Sequence, residues 1–136
     1  MKRLFTNIFI CLITLTSLIS CSNAQEECTQ IADSFIKAYF TNNYDDAIQY
    51  CDTELAEHLQ AIKVSFEKLD KALAGKLSEM GAGVECKVSE VSFDENDKDL
   101  CHVKFEISEK TYLSPTTKAL EIRKIDNAWK ISKVEE

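Results

Sequence analysis

The spacing of apolar side chains along this sequence changes once, at Gly83. Between residues 28 and 77 they recur every three or four positions, which is the repeat of an amphipathic α-helix. After Gly83 they alternate with polar residues, which is the repeat of a β-strand with one buried face. Helices followed by strands favour an α+β domain, in which the helices pack on an antiparallel sheet.

The helical part predicts three helices. The first covers residues 28–40, and turn-forming residues separate it from a shorter second helix at 44–51. Asp52 is placed to cap the third helix. The apolar stripe of that helix consists of Leu55, Leu59, Ile62, Phe66, Leu69, Leu73 and Leu77. Because the spacing of this stripe never breaks, we predict one long helix that ends at Gly81 and Gly83.

The alternating part predicts a four-stranded antiparallel meander. In the first strand the alternation changes phase between Val88 and Val91, which indicates a β-bulge. In the second strand one face carries Cys101, Val103, Phe105 and Ile107, and the opposite face carries His102, Lys104 and Glu106. Leu120 and Ile122 mark the third strand. A hairpin turn at 126–127 then leads into a fourth strand with Trp129, Ile131 and Val134.

The first twenty residues have the composition of a secretory signal. Lys2 and Arg3 precede an uncharged, largely apolar stretch at residues 4–18. That stretch is shorter than the ~20 apolar residues that a transmembrane helix needs. The sequence therefore predicts an exported protein.

The end of this signal, Leu-Ile-Ser-Cys at residues 18–21, resembles the lipobox of bacterial lipoproteins. The resemblance implies that residues 1–20 are removed and that Cys21 carries a diacylglycerol and a further acyl chain such as palmitate. Several acyl chains make a durable membrane anchor. Two alternatives are cleavage before Gln25 and an uncleaved N-terminal anchor.

Removal of residues 1–20 leaves 116 of the 136 residues and changes the net charge from −7 to −9, since two positive charges are lost. So acidic a chain is unsuited to binding the phosphate backbone of nucleic acids. We predict a lipidated polar tether at 21–27 and a single domain at 28–136. The lipid would hold the protein at a membrane of the bacterial envelope, such as the outer membrane, where it would be periplasmic or surface-exposed.

Four of the six cysteines remain when Cys11 is removed with the signal and Cys21 is lipidated. These four are Cys28, Cys51, Cys86 and Cys101. An even number of thiols permits disulfides in an oxidising compartment. Four cysteines allow three pairings, and the sequence does not choose among them. Buried free thiols are the alternative.

Three segments carry a resemblance to a known family: Phe-Ile-Lys-Ala-Tyr-Phe at 35–40, Asn-Tyr-Asp-Asp-Ala at 43–47 and Ile-Asp-Asn-Ala-Trp-Lys-Ile at 125–131. Over residues 28–136 the chain resembles the nuclear transport factor 2-like superfamily, also called cystatin-like or SnoaL-like. More narrowly, it is similar to small lipoproteins of Bacteroidetes-type bacteria. The resemblance implies three N-terminal helices packed on a curved four-stranded sheet, which forms a cone with an internal pocket.

The superfamily includes isomerases, dehydratases and cyclases that place aspartate, tyrosine or histidine inside the cone. The resemblance therefore implies Asp33, Tyr39 and Tyr112 as candidate pocket residues, with Tyr50 and His102 as further candidates. The spacing of these residues demonstrates no acid–base pair. We expect Tyr39 and Tyr50 to belong to the core and His102 to lie on the outer face of the sheet.

No motif for covalent catalysis, phosphate binding or metal binding is present in the sequence. We interpret the Glu54–His58 pair as a surface pair and expect no metal and no cofactor. The leading hypothesis is a lipid-anchored, non-enzymatic domain that binds a small apolar ligand or an envelope protein. One alternative is an isomerase or dehydratase that uses the pocket. Another is an interaction protein whose third helix pairs, through its apolar stripe, with a helix of a partner.

Overall fold

The computed structural model describes residues 23–109 and 114–135. It is an α+β fold with four helices followed by an open antiparallel sheet of four strands, in the order β1-β2-β3-β4. The helices are α1 (23–40), α2 (Tyr44–Gln49), α3 (Thr53–Glu67) and α4 (Lys71–Ala82). The strands are β1 (Val84–Phe93), β2 (Leu100–Glu109), β3 (Thr116–Ile125) and β4 (Ala128–Glu135). The predicted signal, the predicted lipidation site at Cys21 and the candidate residue Tyr112 lie outside the described residues.

Helix α1 includes residues 23–27, which the sequence predicts to be part of a tether. Glutamine and glutamate are good helix formers, and no apolar repeat is needed for them to extend a helix that is already nucleated. The Gln30 side-chain amide also donates a hydrogen bond to the Glu26 carboxylate at 3.3 Å, one turn earlier. The inward face of α1 carries the buried side chains of Cys28, Ala32, Phe35, Ile36 and Ala38.

The predicted long third helix is two helices, so that prediction is wrong. Helix α3 ends at Glu67, and the Asp70 carboxylate starts α4 by accepting a hydrogen bond from the Ala72 backbone N–H at 2.8 Å. The apolar residues keep their spacing of three or four positions across the break, from Phe66 through Leu69 to Leu73. Burial differs sharply along it: Leu59 is 1% exposed, whereas Leu73 is 48% exposed. None of the α4 residues is buried.

The sheet follows the prediction closely. The register of β1 against β2 shifts between Val88 and Glu90, which confirms the bulge. The β3–β4 hairpin turns at Asp126 and Asn127, whose φ angles of 50° and 63° are those of a tight hairpin turn that asparagine and aspartate tolerate. A second irregularity, between β3 and β4, follows Glu121.

The core lies between α1 and one face of the sheet. Its largest fully buried side chains are Phe35, Phe105, Leu59, Leu120, Ile122, Ile131 and Val103, with the thiols of Cys28 and Cys101. The segment between α2 and α3 is fixed to the edge strand β4 by two backbone hydrogen bonds. Ile131 N–H donates to Tyr50 O and Asp52 N–H donates to Ile131 O, both at 2.8 Å. These bonds hold the start of α3 against the sheet.

Within residues 23–109 and 114–135, no helix is long and apolar enough to cross a membrane.

Candidate functional site

A cleft of about 870 Å³ is lined by helices α1 and α3 and by strands β2, β3 and β4. We call it the α1–α3 cleft. Helix α1 contributes Phe35, Ile36, Tyr39 and Phe40, and helix α3 contributes Glu54, Leu55, His58 and Leu59 after its cap Asp52. The strands contribute Phe105, Lys118, Leu120, Glu121, Arg123, Ser132, Lys133 and Val134. Its size is within the usual range for small-molecule sites.

The interior of the cleft is apolar and aromatic. Phe35, Leu59, Phe105 and Leu120 are all at most 1% exposed. Tyr39 stacks on Phe35 with ring centroids 5.6 Å apart. Phe40 meets Tyr39 edge to face at 5.4 Å and Phe105 at 6.3 Å. Such contacts fix the rings relative to one another, so the aromatic wall is pre-formed.

The polar side chains of the cleft are partly or largely exposed and carry both signs of charge. Arg123 pairs with Asp97 at 3.3 Å, and the Asp52 carboxylate accepts a hydrogen bond from Leu55 N–H at 2.9 Å. Within the described ranges, Lys118 and Lys133 take part in no ion pair. A ligand with an apolar body would contact the interior, and its polar end would meet these side chains.

The structure separates two of the candidate pocket residues. Tyr39 lines the α1–α3 cleft. Asp33 lines a shallower cavity of about 360 Å³, together with Cys86 and other residues of α1 and β1. Six helical positions correspond to a rotation of about 240°, which puts the two side chains on different faces of α1. Tyr112 lies outside the described residues, so the separation concerns Asp33 and Tyr39 alone.

The two further candidates lie where the residue pattern predicts. Tyr50 packs against the core as a partly buried side chain. His102 is on the outer face of β2, and its Nε2 atom is 3.9 Å from the Asp94 carboxylate. Neither lines the α1–α3 cleft.

The Glu54–His58 pair lies at the cleft, with both side chains exposed. In the part of the chain that the structure describes, no three His, Cys, Asp or Glu side chains are grouped as metal ligands would be.

Sequence reasoning missed most of the cleft. Leu55, Leu59 and Phe105 are on apolar faces that the periodicity identifies, but nothing in the sequence shows that they face one cavity. Lys118 and Lys133 carry no signal of their own, because they reach the cleft only through the pairing of β3 and β4.

Two buried thiols, Cys28 on α1 and Cys101 on β2, contact each other in the core. Their hydrogen bond, together with burial, raises the pKa of Cys28. The same hydrogen bond lowers the pKa of Cys101, because it stabilises a thiolate there.

For the other two described cysteines, Cys51 and Cys86, no neighbouring thiol contributes to the change in pKa. Burial, with the charge of Asp52, raises the pKa of Cys51 to about 12, and its thiol donates to the Ala47 carbonyl oxygen at 3.3 Å. Burial also raises the pKa of Cys86. All four described cysteines are free thiols in the structure.

Comparison with known proteins gives no matching family model and no significant match among curated proteins or solved structures.

Proposed function

We propose that this protein is a lipid-anchored protein of the bacterial envelope whose domain binds a small, mainly apolar ligand in the α1–α3 cleft. The observation that carries the proposal is the cleft itself, which has an apolar, aromatic interior and polar side chains where it opens. Ligand sites typically combine a predominantly apolar lining with a few polar groups that orient the ligand.

Binding is favoured over catalysis by the position of the ionisable groups. Glu54, His58 and Lys133 are exposed, so water competes for them and screens their charge. Acid–base and electrostatic catalysis depend on polar groups that are fixed in a site from which water is excluded. The apolar interior, by contrast, favours binding of any apolar surface that it removes from water.

The proposal includes the cone-like arrangement of the nuclear transport factor 2-like superfamily. Helix α1 packs on one face of the sheet, and the register irregularities in the β1–β2 and β3–β4 ladders occur where strands can bend. A β-bulge kinks its strand and increases the local twist, which are the devices that curve a sheet around a helix.

The ligand proposal predicts that a larger side chain in the cleft weakens binding. In Leu55→Trp a large side chain replaces a cleft residue, so the dissociation constant for the uncharged fluorophore N-phenyl-1-naphthylamine should rise at least tenfold. The measurement is a fluorescence titration of chains that start at Ser22, with circular dichroism to verify that each is folded.

Val64→Trp is the matched control, because Val64 is on the same helix, is 41% exposed and does not line the cleft. It should bind the probe as the parent chain does. Equal affinity in Leu55→Trp and the parent chain would exclude the cleft as the binding site.

The anchor proposal rests on residues 18–21 and predicts that Cys21→Ala abolishes lipidation. Without the thiol no thioether to diacylglycerol can form, so metabolic labelling with palmitate should be lost. Ser20→Ala is the control, since it leaves the cysteine in place and keeps a small residue before it. Unchanged labelling of Cys21→Ala would contradict lipid anchoring at this residue.

A further inference from the structure

The contact between Cys28 and Cys101 joins two elements that are far apart in the sequence. Cys28 belongs to the inward face of α1 and Cys101 to the inward face of β2, and both are fully buried in one core cluster. A hydrogen bond connects the two thiols. Helix α1 is otherwise held to the sheet by side-chain packing, so a covalent bond here would fix it.

The register of the sheet excludes Cys51 as a partner of Cys101. Cys101 pairs with Ile122 on β3, Ile122 pairs with Ile131 on β4, and Ile131 forms an isolated bridge with Cys51. Neighbouring strands are about 4.8 Å apart, so three such steps place Cys51 about 14 Å from Cys101. The Cα atoms of a disulfide are usually about 4.4–6.8 Å apart.

The register also excludes Cys86. On β1 the residue paired with Cys101 is Phe93, which is seven positions beyond Cys86. At about 3.3 Å per residue, this separation is about 23 Å along the strand. Cys51 lies beside β4 and Cys86 lies on β1, so the width of the sheet separates them in addition to the distance along the strands. Of the three pairings that four cysteines allow, none can therefore form two disulfides in this fold.

We propose that Cys28 and Cys101 form a disulfide that ties α1 to β2, while Cys51 and Cys86 remain thiols. The proposal rests on the proposed envelope location, because disulfides form and persist outside the reducing cytosol. It assigns one covalent link to a core that would otherwise depend on packing alone.

The bond forms by thiol–disulfide exchange with a protein or low-molecular-weight disulfide as the oxidant. One of the two thiols, as its thiolate, attacks one sulfur of the oxidant and forms a mixed disulfide with it, while the other sulfur of the oxidant leaves as a thiolate and takes up a proton. The second thiol of the pair loses its proton and attacks the sulfur of this chain in the mixed disulfide, and the remaining sulfur of the oxidant leaves as a thiolate that takes up that proton. Two thiols of this chain become one disulfide, and the oxidant gains two electrons and two protons.

Burial sets the order of events. Because neither thiol is exposed, an oxidant reaches them only before α1 docks on the sheet or while it is detached. Once formed, the disulfide is shielded from reductants in the same way. We therefore expect resistance to reduction in the native protein and rapid reduction after denaturation.

The test is peptide mapping of the full chain purified from membranes of cells quenched with acid and alkylated without reduction. Trypsin places Cys51, Cys86 and Cys101 in three separate peptides, and Cys28 in a fourth that ends at Lys37. The expected cross-link joins the peptides of Cys28 and Cys101. It should be lost in Cys28→Ala and retained in Cys51→Ala and Cys86→Ala. Complete alkylation of Cys28 and Cys101, or a cross-link through another pair, overturns the proposal.

A second arm separates this proposal from the envelope location. The purified chain is reduced in denaturant, then refolded with oxidised glutathione and mapped in the same way. A Cys28–Cys101 cross-link in this arm supports the pairing. Its presence here together with its absence in cells overturns the disulfide in the cell and contradicts the oxidising location. Its absence in both arms overturns the pairing itself, and leaves palmitate labelling at Cys21 to decide the location.

Discussion

Leu59→Ala should lower the free energy of unfolding by about 3 kcal/mol. Leu59 is the one buried residue of α3 and is 1% exposed in the interior of the α1–α3 cleft. Truncation removes its apolar contacts with the core cluster and leaves a void that the surrounding side chains fill incompletely. The measurement is equilibrium unfolding in urea.

Leu73→Ala is the matched control, because it makes the same substitution in the same sequence stripe. Leu73 is 48% exposed on α4, so its loss should change the free energy of unfolding by no more than about 0.5 kcal/mol. A single helix with a uniformly buried stripe predicts equal losses at both positions. Similar losses for the two variants would therefore contradict the difference in burial between the α3 and α4 parts of this stripe.

Gly81→Ala should lower the free energy of unfolding by about 2 kcal/mol. A Cβ atom at position 81 would overlap the carbonyl oxygen of Phe40, a backbone atom at the end of α1. The Asn42 side-chain amide donates a hydrogen bond to Leu77 O at 3.3 Å, so α4 cannot move away without loosening this contact. The gain in helix propensity from glycine to alanine, about 1 kcal/mol, is too small to offset the overlap.

Gly75→Ala, on the same helix, provides the comparison. A Cβ atom at position 75 would meet no heavy atom within 4 Å. Without an overlap, only the higher helix propensity of alanine affects stability, and the variant should be more stable by up to about 1 kcal/mol. If both glycine variants gain stability, α4 does not approach α1 as closely as the structure has it.

The sheet could be predicted from the sequence in detail because its signals are local. Alternation gives the strands, the change of phase between Val88 and Val91 gives the bulge, and Asp126-Asn127 gives the hairpin turn. The break between α3 and α4 could not be predicted from periodicity, since the apolar residues stay in phase across it. The signal that was present is Asp70, a residue type that favours helix N-caps.

The cleft was much less predictable, because its residues come from five elements and meet only through tertiary packing. The separation of Asp33 from Tyr39 could have been predicted, because residues six positions apart lie on different faces of a helix. The choice among cysteine pairings, in contrast, needs strand register, since it depends on which residues of β2, β3 and β4 face one another.

Helix α1 sets a length scale for an anchored protein. Position 23 is already helical, so only two peptide units separate the helix from Cys21, and they span at most about 7 Å. From position 23 to Tyr39 the helix rises about 24 Å. With a lipid on Cys21, α1 would act as a rigid spacer rather than a flexible linker. The mouth of the cleft would then be held within about 30 Å of the lipid headgroups, which limits how far the binding site can move from the membrane surface.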